Sequence, residues 1–403
     1  MPGIYADLRI LELGAGAAGP VATRYFAEQG ATVVRLESAK RPDFLRLLRI
    51  APDDPRGLEG SPMFALLNPG KRSVALNLQE PEAQALALEL ARWADVVLEN
   101  FSPGVMERFG LGAGRLLAAK PELIVVSSCL FGQTGPQRGY PGFGGQGSAI
   151  AGFNATTGWP DREAIGPWGT ITDSLSPRYV AVLIAAALLA RGRTGRGQHV
   201  DLSQIEAGVY SLSEMVVRCS ASGDVVLRRG NRDERAAPHG IYPCLGEDCW
   251  IAISVFDDAQ WEALVAAMGD PDWAAEARFV TGDGRRAHHG EIDAKLADWT
   301  REFGAWHLMA GLQQAGVPAG VVQNVHELLR DPQLAHRHHF VTLQHPVLGS
   351  LSHERSGFRL AEHPGGFERA APRLGEHTDQ VLGGILGLAP ETIRDLVARG
   401  VAA

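Results

Sequence analysis

Short apolar runs alternate with longer amphipathic segments along the first half of the chain. Each run has the length and the β-branched content of a buried strand. The runs lie at 8–13, 31–36, 73–76, 95–99 and 123–127. The segments between them, such as 20–29 and 80–93, have the apolar spacing of helices. Alternation of this kind predicts the α/β class, with a doubly wound parallel sheet.

A glycine-rich segment follows at 132–170, which predicts a loop where the backbone approaches a ligand closely. The apolar stretch at 179–190 predicts a core helix of about three turns. A strand is predicted at 199–202. A chain of 403 residues is long for one domain, and two are expected.

The second domain is predicted from a change of pattern at 222. Charged and turn residues dominate 222–245, and a strand and helices follow at 250–255, 260–268 and 291–316. We therefore predict a linker and small α+β domain at 222–325. The large domain is expected to comprise 1–221 and 326–403.

The composition fits a globular protein, with 45% hydrophobic and 21% charged residues. The net charge of −8 gives no global basic field, so no nucleic acid partner is expected. The four cysteines lack metal-ligand spacing and are interpreted as reduced thiols, with no metal site. We expect no signal peptide and no membrane span, because the longest apolar run, 180–190, is too short for one. These features predict a cytoplasmic protein.

A glycine-rich turn follows the first predicted strand. Gly14-Ala-Gly16-Ala-Ala-Gly19, with Glu37 closing the next strand, satisfies the dinucleotide-binding pattern. Pro20 removes one N–H from the turn that would hold phosphate. A tight strand-to-helix turn without a nucleotide fits the same residues equally well. The pattern alone does not separate the two interpretations, and a nucleotide-dependent dehydrogenase stays open as an alternative.

Cationic side chains follow or flank predicted strand ends. Lys71, Arg72 and Arg108 lie there, and Phe101 lies between them in the sequence. Ligands bind outside the carboxyl ends of strands in open α/β sheets, where such cations hold phosphates and an aromatic ring stacks on a base. Surface charge is the alternative interpretation.

Asp173 lies at the mouth of the predicted apolar helix. Ser176 and Pro177 are typical of a helix cap and a first helical position, which places Asp173 just upstream of the helix. A carboxylate there is favoured in its ionised form by the helix dipole and can act as a covalent nucleophile. A plain capping role is the alternative.

Several longer motifs occur in a fixed order along almost the whole chain. They are Ala18-Gly-Pro20, Gly30-Ala-Thr-Val-Val-Arg-Leu-Glu37, Gly70-Lys-Arg-Ser-Val-Ala-Leu-Asn-Leu78, Ala94-Asp-Val-Val-Leu-Glu-Asn-Phe-Ser-Pro-Gly104, Gly132-Gln-Thr-Gly-Pro136, Thr194-Gly-Arg-Gly-Gln-His-Val-Asp201, Gly230-Asn231 and Leu374-Gly-Glu-His-Thr-Asp379. On these motifs the chain resembles the class III CoA-transferases, the family of formyl-CoA transferase and carnitine CoA-transferase.

The resemblance implies a role for individual residues. Asp173 falls on the family's nucleophile, and Gly144 and Gly145 lie in the loop that precedes it, a candidate shield and source of oxyanion-binding N–H groups. The positions implied to bind CoA are Ala18, Lys71, Arg72, Asn100, Phe101 and Arg108. CoA and acyl-CoA are then substrates, and no tightly bound cofactor is expected. The resemblance also implies a Rossmann-like large domain and two interlocked ring-shaped chains as a dimer.

The resemblance predicts the transfer of CoA from an acyl-CoA donor, with succinyl-CoA as a candidate, to a free carboxylic acid through aspartyl anhydride and aspartyl-CoA thioester intermediates. The acyl-CoA racemases of the same fold are the alternative, but their loop histidine is absent from the triplet Gly142-Phe143-Gly144. A subunit that depends on a related partner chain is a second alternative. Phe143 and Trp168 are compatible with a bulky or aromatic acceptor. Arg228, Arg229, Arg232 and Arg235 form a cationic stretch that a dicarboxylate such as succinate would suit, but a solvated linker is the preferred interpretation.

Overall fold

The structure is a computed structural model that describes residues 3–48, 51–167 and 170–403. The chain forms two compact units. Unit 1 comprises Met1–Ala155, Ile165–Val226 and His338–Ala403, and unit 2 comprises Thr156–Ala164 and Leu227–Arg337. Unit 2 thus takes in a short segment, 156–164, that lies far from the rest of it in the sequence, and it ends later than the predicted boundary at 325.

A six-stranded parallel sheet forms the centre of unit 1 within the described residues. Its strands are β1 (Arg9–Leu13), β2 (Thr32–Glu37), β3 (Arg72–Ala75), β4 (Val96–Glu99), β5 (Ile124–Cys129) and β6 (Gln198–Ser203). Their spatial order is β3-β2-β1-β4-β5-β6, and all neighbouring pairs are parallel. This is a doubly wound order with its reversal between β1 and β4, so the predicted α/β fold is confirmed.

The helices up to residue 222 lie in the connections of this sheet and beyond β6. They are α1 (Ala18–Glu28), α2 (Phe44–Leu47), α3 (Pro62–Leu67), α4 (Pro81–Trp93), α5 (Val105–Arg108), α6 (Ala113–Ala119), α7 (Gly144–Ile150), α8 (Phe153–Thr156), α9 (Ile171–Thr194), α10 (Gln204–Tyr210) and α11 (Ser213–Ser222). Among the described residues of 132–170, where a loop is predicted, the structure has the two short helices α7 and α8. The hydroxyl of Thr172 in α9 donates to the carbonyl oxygen of Gly144, so tertiary packing supports α7 in spite of its glycines.

Unit 2 and the C-terminal part of unit 1 supply the remaining elements. They are β7 (His239–Pro243), β8 (Trp250–Ser254), α12 (Asp258–Ala267), α13 (Gly282–Ala287), α14 (His289–Thr300), α15 (Ala305–Gln314), β9 (Ala319–Val321), α16 (Val325–Leu328), α17 (Pro332–His336), β10 (Phe340–His345), β11 (Gly349–Glu354), α18 (Thr378–Gly384) and α19 (Pro390–Ala398). The strands β7, β8 and β9 form an antiparallel sheet, and β10 pairs with β11.

Apolar residues cover both faces of the central sheet. Successive side chains of a strand point to opposite faces, so Val33 belongs to one buried cluster and Val34 to the other. Val180 and Ile184 of α9 are fully buried in the cluster of Val33. The C-terminus closes the β3 edge of the sheet, where the N–H of Ala403 donates to the carbonyl oxygen of Ala75 at 3.1 Å.

The helix α9 is longer than the sequence pattern predicts. It begins at Ile171 and not at Pro177, which lies inside it. The proline has no N–H and leaves the carbonyl of residue 173 without its helical donor, yet the helix continues through it. Among the described residues, α9 is long and apolar enough to cross a membrane by length and composition, a weak indication because core helices pass the same test.

Candidate functional site

A cleft of about 550 Å³ lies at the carboxyl ends of the first strands of unit 1. This unit 1 cleft is lined by Leu13, Gly14, Ala15, Arg35, Leu36, Glu37, Ser38, Lys40, Arg41, Pro42, Asp43, Phe44, Leu76, Asn77, Leu78, Gln79, Phe101, Val105, Arg108 and Phe109. The cleft lies at the switch point of the sheet, where the connections that follow β1 and β4 run to opposite sides. This is the usual position of a ligand in this fold.

The unit 1 cleft combines an aromatic wall with cations. The rings of Phe101 and Phe109 meet edge to face, with centroids 6.3 Å apart. Lys40, Arg41 and Arg108 are exposed at the cleft, and none of the three forms an ion pair with another described residue. An apolar surface that can accept a flat ring, bordered by free cations, suits a phosphorylated nucleotide. Lys40 and Arg41 were missed by sequence reasoning, although they follow the carboxyl end of β2 directly.

The glycine-rich turn after β1 is occupied by protein groups. The N–H of Gly16 donates to the two carboxylate oxygens of Asp43 at 3.1 and 3.2 Å. Nδ2 of Asn100 donates to the carbonyl oxygen of Ala15 at 2.7 Å. A phosphate at this turn would need the N–H that Asp43 already uses. The turn therefore shapes the cleft floor and is not a ready phosphate cradle.

Glu37, the acid of the dinucleotide pattern, is also engaged. Its two carboxylate oxygens accept from Nε and Nη2 of Arg46, both at 2.9 Å. The hydroxyl of Ser73 donates to it at 2.6 Å. Because these bonds satisfy the carboxylate, it has little capacity left for a ribose hydroxyl, which argues against the dehydrogenase alternative.

Lys71 directly precedes β3, is fully buried and does not line the unit 1 cleft. Its Nζ donates to Glu12 at 2.8 Å, to Asn68 Oδ1 at 2.9 Å and to the carbonyl oxygen of Pro20 at 3.0 Å. Burial lowers the pKa of Lys71 to about 8. Burial by itself would raise the pKa of Glu12, but the charges of Lys71 and Arg35 outweigh it and lower that pKa to about 2.

Arg72 and Ala18 also lie outside the lining of the unit 1 cleft. Arg72 begins β3, at the amino end of a strand whose carboxyl end faces the cleft, and it lines a separate cavity of about 320 Å³ with Arg369. Ala18 is the buried first residue of α1. Parallel strands keep their two ends on opposite edges of the sheet, so the structure separates Arg72 from Phe101 and Arg108.

Asp173 and Gly144 are in contact although the sequence separates them. A Cβ atom at Gly144 would lie 2.2 Å from Oδ2 of Asp173, so any larger residue there would displace the carboxylate from its position. The carbonyl oxygen of Gly144 accepts from the hydroxyls of Ser148 at 2.8 Å and Thr172 at 3.1 Å, which fixes α7 against α9. Burial raises the pKa of Asp173 to about 6, although a hydrogen bond from the N–H of Gly144 opposes the rise.

Asp173 lies in the first turn of α9 and not upstream of it. The helix dipole there favours the ionised form, but burial has the larger effect on its pKa. Gly145, the neighbour of Gly144, is the second residue of α7, whose first amides have no partner inside the helix. Trp168, which the sequence placed near the site, lies outside the described residues.

An aromatic contact connects the unit 1 cleft with Asp173. The ring of Phe44, which lines the cleft, lies 5.5 Å from the ring of Phe143, and Phe143 directly precedes Gly144. The contact between the two rings therefore places the start of α7 beside the unit 1 cleft.

Comparison with known proteins shows what the whole chain is similar to. The sequence profile of CoA-transferase family III matches residues 5–378. The chain is 35% identical to a succinyl-CoA–D-citramalate CoA-transferase of Chloroflexus aurantiacus, over 98% of this chain and 97% of that protein. It is 31% identical to the beta subunit of a succinyl-CoA–L-malate CoA-transferase of the same organism, over 98% and 97%. A crystal structure of a CaiB/BaiF family protein from Brucella suis superimposes with a TM-score of 0.88 at 28% identity, over 96% of this chain and 100% of that chain.

Proposed function

The chain belongs to CoA-transferase family III, and from this membership and the geometry of Asp173 we propose that it moves CoA from an acyl-CoA donor to a free carboxylic acid through covalent intermediates on Asp173. The contact between this carboxylate and the Gly144 amide is the observation that carries the proposal, since it holds a partly buried, ionisable nucleophile in one position.

The first half of the reaction loads CoA onto the enzyme. A carboxylate oxygen of Asp173 attacks the thioester carbonyl of the donor, the C–S bond breaks, and CoA leaves as a thiolate. The product is a mixed anhydride between Asp173 and the donor acyl group. The thiolate then attacks the carbonyl carbon of Asp173, the anhydride C–O bond breaks, and the donor acid leaves as a carboxylate. Asp173 now carries CoA as a thioester.

The second half reverses these steps with another acid. The acceptor carboxylate attacks the Asp173 thioester, and the CoA thiolate leaves. The thiolate next attacks the acceptor carbonyl of the new anhydride, which forms the new acyl-CoA and restores the Asp173 carboxylate. Both anhydrides and the thioester react with water, so a close-packed surround such as α7 against α9 protects them.

Individual residues take distinct parts in this scheme. Phe101 and Arg108 bind the nucleotide end of CoA in the unit 1 cleft, with Lys40 and Arg41 as further partners for phosphate. Asn100 supports the turn at Ala15. The amides of Gly144 and Gly145 stabilise the oxyanion that develops when a carbonyl is attacked. Lys71 stabilises the buried Glu12 and the start of α1 through its hydrogen bonds, and it does not contact CoA.

The relatives support a dicarboxylic acid as one of the substrates. The names of two of them pair succinyl-CoA with D-citramalate or L-malate. We propose succinyl-CoA as donor and a small dicarboxylic acid as acceptor. One of these relatives is a beta subunit, so both a homodimer and a pair with a related chain are compatible with the proposal. We also propose that the protein is cytoplasmic and that it needs no tightly bound cofactor.

Trapping the intermediates tests the proposal. The full-length protein is incubated with succinyl-CoA and hydroxylamine, and the peptide that contains Asp173 is weighed by mass spectrometry. A hydroxamate at Asp173, absent from Asp173→Asn, is the expected result. Exchange of an α-hydrogen of an acyl-CoA with deuterated solvent, without an adduct and without transfer to a second acid, would replace the proposal by the racemase alternative.

A further inference from the structure

A second pocket, of about 640 Å³, lies entirely within unit 2. This unit 2 pocket is lined by Trp159, Pro160, Asp161, Arg228, Arg229, Asn231, Arg232, His239, Gly240, Ile241, Tyr242, His289, Asp293, Ala294 and Ala297. Its size is within the range of small-molecule sites, which is about 300–1,000 Å³. Neither Asp173 nor any residue that lines the unit 1 cleft belongs to this pocket.

Two arginines of the unit 2 pocket carry charge that no carboxylate balances. Arg229 is paired with Glu234, Nη1 to Oε1 at 2.8 Å. Arg228 and Arg232, by contrast, form no ion pair with any described residue. The side-chain bond recorded for Arg228 runs from Nε to the carbonyl oxygen of Trp159 at 3.4 Å, which holds the side chain at the pocket and leaves its charge unpaired. Arginines in this state are ready partners for carboxylates.

The acids of the unit 2 pocket do not offset these cations. Asp293 accepts from the hydroxyl of Tyr242 and from Nδ1 of His289, both at 2.7 Å. The remaining acid of the lining is Asp161, which is exposed and forms no ion pair with Arg228 or Arg232. His289 is only 6% exposed, and its Nε2 has no hydrogen-bond partner among the described residues. Buried nitrogens are normally satisfied, so a polar group of the pocket's occupant is the expected partner.

The remaining walls of the unit 2 pocket are apolar. The indole of Trp159 lies against Gly230, where a Cβ atom would approach its Nε1 to 2.8 Å. Ile241, Ala294 and Ala297 complete this surface. An inorganic anion would leave these walls without a partner, whereas a carbon chain between two carboxylates contacts both the cations and the apolar wall.

We propose that the unit 2 pocket binds the free dicarboxylic acid, with Arg228 and Arg232 as the residues that hold its carboxylates. That the acid is a substrate rests on the proposed function; the binding itself does not. Arg228 and Arg232 then determine specificity, since an acid with a single carboxylate leaves one guanidinium unpaired.

Calorimetric titration of the full-length protein tests this assignment, with succinate, butyrate and inorganic phosphate as probes. The variant R228Q/R232Q is compared with R286Q/R301Q, which removes two exposed arginines of unit 2 that do not line the pocket. We expect the Kd for succinate to rise at least about tenfold in R228Q/R232Q and to stay unchanged in R286Q/R301Q. Butyrate is expected to bind more weakly than succinate to the native protein. The single variant R232Q, at an exposed position, serves if the double variant does not fold.

The opposite results would overturn the assignment. They are equal succinate affinity in all variants, no saturable succinate binding to the native protein, or phosphate binding as tight as succinate with the same dependence on the two arginines. A hydroxamate at Asp173 together with arginine-independent succinate binding would remove this inference and keep the proposed function. Succinate binding that depends on the two arginines, without any adduct at Asp173, would keep this inference and remove the proposed function.

Discussion

Gly144 and Asp173 touch so closely that a Cβ atom on the glycine would lie 2.2 Å from Oδ2 of the carboxylate. The two residues lie in the first turns of different helices, α7 and α9. The hydroxyl of Thr172 joins these helices by donating to the carbonyl oxygen of Gly144. The missing side chain at Gly144 therefore lets a main-chain N–H reach the proposed nucleophile.

Replacing Gly144 by alanine is expected to lower kcat by roughly 100-fold, because the methyl group must displace the carboxylate and misplacement by about 1 Å has that effect. Alanine has the highest helix propensity, so a loss of kcat in this variant would come from the steric contact with Asp173 and not from a weakened helix. Gly114→Ala is the matched control: it lies near the start of another seven-residue helix, α6, and its Cβ would meet nothing within 4 Å. Full activity of G144A in steady-state CoA transfer would contradict the role assigned to this contact.

The rate of CoA transfer is expected to fall as the pH drops below about 6, because burial raises the pKa of Asp173 to about 6 and the protonated carboxyl is not a nucleophile. Above that pH the carboxylate is mostly ionised and kcat/KM is level. Below it, kcat/KM falls about tenfold per pH unit. Initial rates between pH 4.5 and 8 at constant ionic strength measure the profile. A fall of kcat/KM with its midpoint near pH 4 would show that burial does not raise the pKa of Asp173.

Asp173→Asn is expected to stabilise the fold at neutral pH. Burial raises the pKa of Asp173 from 3.8 to about 6, so the ionised carboxylate disfavours the folded state. Above pH 6 this penalty is complete, about 2–3 kcal/mol, and it disappears below pH 3.8 where the group is protonated in both states. The melting temperature of D173N should exceed that of the native protein at pH 8 and approach it at pH 4. Equal melting temperatures at both pH values would contradict the shift.

Arg108→Gln is expected to raise the KM for acyl-CoA about 10-fold or more through the loss of a charge-assisted bond to phosphate. Arg72→Gln should leave that KM unchanged, because Arg72 starts β3 and lines a different cavity. Both changes remove one positive charge, so the pair separates position from net charge. Initial rates at varied acyl-CoA give both constants. An equal rise in both variants would return Arg72 to the CoA site.

Lys71→Met is expected to destabilise the protein by about 3–5 kcal/mol, since it leaves the buried Glu12 without one of its partners. Adding Glu12→Gln should recover part of this loss. Urea unfolding at pH 7 measures the free energy, and the exposed Lys295→Met is the control. A Lys71 variant of native stability with an impaired KM for acyl-CoA would assign the lysine to the ligand instead.

The sequence by itself determined the sheet, because parallel strands buried on both faces are continuous apolar runs that need no distant partner to be seen. Each predicted strand of the sheet lies within a residue or two of its position in the structure. The motif around Asp173 and the glycines before it were likewise visible as residue types in a local pattern.

The tertiary structure decided which charges face a ligand and where α9 begins. Lys71 and Arg108 were equivalent cations in the sequence, but Lys71 binds Glu12, which is 59 residues away, and Arg108 remains exposed at the unit 1 cleft. The start of α9 at Ile171 depends on its packing against α7, and the unit 2 pocket needs Trp159 beside Arg228. Local propensity contains no information on such contacts, because their energy arises only when distant segments meet.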